Sequence, residues 1–186
     1  MIISEIPFVL KDGRSALLRS PRDEDIPGLL EYLRVTAAET EFLLRYPEEC
    51  DKFYSAQTEK NFIDRINAAD NGAMLVCIVD GRVAGNCDIQ WSRMIKLRHR
   101  ATVAIALMKE FWGLGIGTRM MQELIRIAEA DEKILQLELD FIEGNSRARA
   151  LYEKMGFRIC GMRPDAIRLK DGTLLGEYNM IRKIER

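Results

Sequence analysis

Residues 103–130 read VAIALMKEFWGLGIGTRMMQELIRIAEA, and this stretch decides the fold. It divides into strand, glycine loop and helix. Val103, Ile105 and Leu107 alternate with small residues, the pattern expected of a strand buried on both faces. Gly113, Gly115 and Gly117 follow. Ile116, Met120, Leu124 and Ile127 or Ala128 then recur at three- and four-residue spacing, which predicts a helix with one apolar face. A glycine loop feeding a helix start is an anion site. The first N–H groups of a helix have no partner inside it, and the aligned peptide dipoles place partial positive charge there. Glycine lets that backbone approach a bulky phosphate.

Two familiar glycine motifs do not fit. A P-loop ends in Gly-Lys-Ser/Thr, whereas this loop ends Gly117-Thr118-Arg119. The dinucleotide fingerprint needs a glycine at position 118, where Thr118 stands, and it normally opens its domain. The pattern present is x-G-x-G-x-G after a strand. A second motif lies downstream. Leu135, Leu137, Leu139 and Phe141 alternate with Gln136, Glu138 and Asp140 as a strand, followed by NSRARALYEKMGF over residues 145–157.

Together these motifs resemble the GNAT family of N-acetyltransferases. The loop is similar to that family's pyrophosphate loop, Arg/Gln-x-x-Gly-x-Gly/Ala, with Trp112 in the place of Arg or Gln and with Gly115 and Gly117 in register. Residues 145–157 match the family signature N-x-x-A-x-x-L-Y-E-K-x-G-F at every defining position. The resemblance covers nearly the whole chain. It implies acetyl-CoA as cosubstrate, no metal, and acetyl transfer to a primary amine by direct attack in a ternary complex. It also implies cofactor contacts from Trp112, Gly113, Leu114, Gly115, Ile116, Gly117 and Thr118 in the loop. Further contacts would come from Ala106 and Leu107 on the central strand and from Asn145, Arg149 and Tyr152 on the following helix. A backbone N–H near Ala106 or Leu107 would meet the oxyanion, where this strand splays from Leu137–Asp140. Tyr152 would be the general acid that protonates the leaving thiolate.

The signature residues also make sense one by one. Asn145 precedes an amphipathic segment and can cap it. Ala148 and Leu151 lie three apart and face inward, and Tyr152 shares a face with Asn145. Gly156 is placed to end the helix in the left-handed conformation before Phe157 starts a strand. The general base has no motif, since residues 101–107 contain no acid. Glu138 is the candidate taken, beside Asp140, Asp88 and His99. Arg119, Arg147, Arg149 and Lys154 are either solvated helix residues or partners of the cofactor's 3′-phosphate.

Around this centre the chain reads as ordered elements. A hairpin joins residues 6–10 to 16–19. Ser20 caps a helix with Pro21 at its first position. Residues 39–51 form a connecting segment broken by Pro47, with five acids against Arg45. The family resemblance implies that the segment from about Val35 to Phe53 shapes the acceptor pocket, and its excess of acids would suit a cationic amine. A second helix spans residues 56–68, a hairpin turns at Asp80-Gly81, residues 94–100 are a basic loop, and two strands close the chain around Lys170-Asp171-Gly172. The fold expected is therefore an α/β (α+β mixed) single domain over residues 1–186. Its central sheet is mixed and mostly antiparallel, with one splayed parallel strand pair and helices on both faces.

The 186 residues suffice for one core, with 47% hydrophobic and 31% charged residues as in ordinary globular chains. A net charge of −1 opposes nucleic acid as partner. No run of about 18 apolar residues suggests a membrane span, and the opening residues lack the pattern of a secretory signal. Four scattered cysteines without a C-x-x-C pair, and a single histidine, point to buried free thiols in a cytoplasmic protein and away from zinc. The partner expected is a small-molecule amine or a peptide N-terminus, and a homodimer is an assembly such folds commonly adopt. The alternative is a non-catalytic acyl-CoA-binding regulatory or partner domain.

Overall fold

In the computed structural model, which describes residues 1–186, eight strands build one sheet around the strand–loop–helix unit. The strands are β1 (Ile6–Val9), β2 (Ser15–Arg19), β3 (Gly72–Val79), β4 (Arg82–Trp91), β5 (Arg100–Leu107), β6 (Gln136–Ile142), β7 (Arg158–Arg168) and β8 (Leu174–Lys183). The helices are α1 (Ile26–Glu39), α2 (Pro47–Phe53), α3 (Ala56–Ala68), α4 (Ile116–Ala130) and α5 (Ser146–Lys154). Across the sheet the order is β1-β2-β3-β4-β5-β6-β8-β7. Only β5–β6 is parallel, and that is the pair joined through the glycine loop and α4. The mixed, mostly antiparallel sheet is as expected.

Side-chain alternation along β4 shows that the helices lie on both faces. Asn86 accepts from Tyr32 Oη of α1 at 2.8 Å. The neighbouring Cys87 points the other way and feels the charge of Glu123 on α4. Helix α4 keeps the predicted apolar face, with Ile116, Met120, Leu124, Ile127 and Ala128 all buried. The buried apolar side chains form one cluster reaching from Leu10 to Ile184.

Parallel pairing of β5 and β6 lasts only three residues, Arg100–Thr102 against Gln136–Glu138. Beyond them the strands part. This corrects the expectation that β5 is buried on both faces. Ala101 and Val103 are buried, but Thr102 and Ala104, which point to the other sheet face, are exposed.

The other departures lie in the connections. Ser20 is not a helix cap: its Oγ accepts from the Ile3 amide, and a 3₁₀ turn at Asp23–Asp25 leads into α1. The cap-like contact is made by Asp25, whose Oδ2 accepts from the Arg22 amide at 2.7 Å. The same carboxylate takes both terminal nitrogens of buried Arg19, at 2.6 and 2.9 Å. Burial alone would raise the Asp25 pKa, but Arg19 and the Arg22 amide hold it below the usual value. Pro47 does not merely break the connecting segment. It occupies the first turn of α2, where its fixed φ suits a helix start. Strands β7 and β8 run longer than residues 157–161 and 177–184, the extents suggested by the sequence, and Cys160 on β7 is exposed whereas the other three cysteines are buried.

Candidate active site

Where β5 and β6 diverge, a cleft of about 1060 Å³ opens. Its floor on one side is the glycine loop and α5; on the other it is the segment after α1 together with the far end of β6.

The loop's conformation follows from its glycines. Gly113 and Gly115 have φ of +79° and +95°, the left-handed region that side chains disfavour. Gly115 is the residue before α4, and the first helical bond runs from the Arg119 amide to Gly115 O at 3.1 Å. The amides of Ile116, Gly117 and Thr118 therefore have no acceptor within the helix. Gly117 serves packing. A Cβ there would lie 3.2 Å from Leu151 of α5, so its absence brings the two helices together. Ile116 is fully buried beneath the loop, and its side chain cannot reach a ligand in the cleft.

Trp112 braces this arrangement. Its Nε1–H donates to Leu107 O at 3.0 Å, and the Arg147 guanidinium lies 4.6 Å from its ring centre, a cation–π distance. Asn145 caps α5 as predicted: its Oδ1 accepts from the Ala148 amide at 3.1 Å. Gly156 ends that helix with φ of +82°. Lys154 reaches Thr118 Oγ1 at 3.4 Å.

The ladder between β4 and β5 selects among the backbone groups of the central strand. The Met108 amide donates to Ala84 O at 3.0 Å. Hydrogen-bonded pairs alternate along an antiparallel ladder, so Ala106, opposite Asn86, also turns its amide toward β4. The expected donor near Ala106 or Leu107 thus narrows. The Ala106 amide belongs to the sheet, while the Ile105 and Leu107 backbone groups face the opening, as the Trp112 bond to Leu107 O shows. Ala106 O also accepts from Tyr32 Oη at 3.2 Å.

Tyr152 lies at the base of the cleft, only 6% exposed, between Phe141 and Phe157 at ring separations of 6.1 and 6.2 Å. Burial pushes its phenol up to about 12, so it stays protonated at neutral pH. Phe141, on the same side of β6 as Leu137 and Leu139, fixes which sheet face Tyr152 occupies. Asp140 points to the opposite face, is exposed, lines the cleft and accepts from Asn179 Nδ2 at 2.6 Å.

Several expected partners are elsewhere. Glu138 lies outside the cleft, accepting from Gln136 Nε2 at 2.5 Å and paired with Arg100 at 3.4 Å in a separate depression beside Gln90 and Thr102. It still belongs to the paired part of β6, one residue short of the opening. Arg149 bridges to Glu153 on the surface, and Arg119 to Glu123, whereas Arg147 and Lys154 line the cleft. Asp88, whose carboxyl burial pushes up, and His99, at the far end of β5, do not line it. Of the five acids in residues 39–51 only Glu39 does. Glu48 pairs with Lys170, Glu49 accepts from the Tyr46 amide, and Asp51 pairs with Arg34. Glu39 accepts from the Lys109 amide at 2.8 Å, tying the end of α1 to the start of the glycine loop.

The far wall is formed by Thr36, Thr40, Phe42, Leu43 and Leu44, within the segment expected to shape the acceptor pocket, whereas Lys11 was not anticipated. No local pattern marks these residues. The wall is held by tertiary contacts: Arg45 donates to Leu33 O and Thr36 Oγ1, Lys170 stacks on Tyr46, and the Lys170 amide donates to Tyr46 Oη.

Comparison with known proteins agrees with this geometry. Residues 37–157 match the model of the acetyltransferase (GNAT) family. An N-alpha-acetyltransferase of Sulfurisphaera tokodaii is 25% identical over 158 residues, covering 80% of this chain and 83% of that protein. One of Saccharolobus solfataricus is 27% identical over 154 residues, covering 78% and 82%. Among solved structures, a GNAT-family acetyltransferase of Streptococcus pneumoniae superposes with a TM-score of 0.83 at 25% identity, over 91% of this chain and 99% of that one.

Proposed function

Since the chain belongs to the acetyltransferase (GNAT) family, we propose that it moves the acetyl group of acetyl-CoA to the α-amine of a peptide or protein N-terminus. The observation that carries this reading is the opening between β5 and β6, with Tyr152 on one sheet face and Asp140 on the other.

The residues present fit the cosubstrate. The unpartnered amides after Gly115 and the cations Arg147 and Lys154 suit its phosphates. The open edge of β5 can pair with its amide-bearing arm as another strand would. Acetyl-CoA supplies an acetyl thioester. The Leu107 or Ile105 amide is oriented to meet the negative charge that grows on the thioester oxygen. Asp140, reached from the opposite face, takes a proton from the incoming amine directly or through one water. Tyr152 stays neutral and donates to the departing sulfur. Holding both reactants in one cleft supplies much of the acceleration.

The chemistry of the base favours an α-amine. At pH 7.5 about a third of α-amines are neutral against about one in a thousand lysine side chains, from their ordinary pKa values. A carboxylate is too weak a base to be matched to the second. The names of both relatives support the same acceptor, and the apolar wall at half-buried Leu43 and exposed Leu44 gives room for a peptide's first side chains. A peptide carrying a free N-terminus and one lysine tests this. Tandem mass spectrometry should place the acetyl group on the α-amine; acetylation confined to lysine would overturn the assignment.

A further inference from the structure

We propose that the tip of the β1–β2 hairpin is part of the coenzyme site, with the Lys11 ammonium binding the diphosphate held at the glycine loop. This rests on the acetyl-CoA reading above and extends it to a segment outside residues 37–157, the portion that matches the family model.

Three contacts dock the hairpin onto the loop. The Lys11 amide donates to Leu114 O at 3.2 Å, between the two left-handed glycines. The Lys11 stem runs past Gly115, where its Cγ lies 3.9 Å from the place a Cβ would occupy and is the nearest atom to it. Arg14, on the return side of the turn, sits 5.7 Å from the ring centre of buried Phe111, which leads into the loop. Lys11 itself lines the cleft.

Charge distribution points to an anion at this position. Arg14 is held by Asp12 and Asp80, and Arg119 by Glu123. Lys11 takes part in none of the ion pairs of the molecule, although Asp12 is its neighbour in sequence. Arg147 and Lys154 project from α5, on the other flank of the loop. The loop is thus bracketed by cations from two elements far apart in sequence. The hairpin's share falls beside Gly115, the residue that leads into the unpartnered amides of α4.

The test compares wild type, Lys11→Met and Lys11→Arg by calorimetric titration with CoA and with 3′-dephospho-CoA, which keeps the diphosphate. Methionine preserves the apolar stem, and thermal melts check that the fold is retained. Lys11→Met should weaken both ligands equally, by about 5- to 10-fold, the scale of one charge-assisted contact at a partly exposed site. Lys11→Arg should restore most of the affinity. An unchanged Kd in Lys11→Met, with wild type binding CoA, overturns the hairpin assignment alone. A loss seen with CoA but not with 3′-dephospho-CoA also overturns it, because Lys11 would then serve the 3′-phosphate. Failure of wild type to bind CoA at all overturns the acetyl-CoA reading and this inference with it.

Discussion

The two walls of the cleft are specified differently. The wall formed by the glycine loop, α4 and α5 is written in short local patterns: Gly115 before a helix, Asn145 capping another, Gly156 ending it. The wall formed by residues 36–44 is written in contacts between distant segments, such as Arg45 with α1 and Lys170 with Tyr46 and Glu48. A ligand shared by many enzymes can be met by a local motif. An acceptor that differs from enzyme to enzyme is met by a surface with no motif. Substitutions on the first wall should therefore change binding of the cosubstrate or the chemical step, and those on the second should change the choice of amine.

The largest effect is expected at Gly115. Valine there faces a φ of +95°, which side chains of its shape avoid, so the loop must rearrange. Gly115→Val should abolish measurable CoA binding in a titration; retained affinity would separate the loop from the cofactor. Next come the two groups assigned to proton transfer. Tyr152→Phe and Asp140→Asn should each lower kcat by about 10²-fold or more with little change in CoA affinity. The losses should be of similar size if both act in one step. A normal kcat in either variant removes that residue from the mechanism.

A stability test lies away from both walls. Asp25→Ala leaves the buried Arg19 guanidinium without its carboxylate, and should cost about 3 kcal/mol in denaturant unfolding. Because the folded Asp25 pKa is depressed, its contribution is full above the unfolded value of about 3.9 and fades as pH falls through the folded one. The difference between wild type and variant should therefore shrink in acid. A gap that persists below that range would assign the loss to packing. The smallest effect separates Glu39 from its neighbour. Glu39→Gln should alter the preference among peptide acceptors by about threefold, the scale of one partly exposed charge, whereas Glu41→Gln, outside the cleft, should not. Equal responses would place the acceptor elsewhere.

Much of the fold was legible in the sequence because local chemistry and tertiary structure agree there. The apolar face of α4, the Asn145 cap and the turns at Gly81 and Gly172 need only their own residues. The parting of β5 from β6 was visible only through family resemblance, since nothing in ATVAIAL says where pairing stops. That stopping point separates two acids of β6: Glu138 and Asp140 share a strand face, yet only Asp140 lies past the last paired residue. The acidic segment misled for a related reason. Its charges are counted along the chain, but Lys170, Arg34 and the Tyr46 amide take three of its five carboxylates away from the cleft. Lys11 carried no signal, because a lysine in a turn is ordinary until the fold brings it to Gly115.

The most direct test of acyl transfer is the release of free thiol from acetyl-CoA with and without a short peptide bearing a free α-amine. Release that depends on the peptide, saturates in both substrates and falls about 10²-fold in Tyr152→Phe is the result expected. Release that ignores the peptide, or CoA binding without any release across peptides of different first residues, would contradict the assignment and leave a domain that holds acyl-CoA without transferring it.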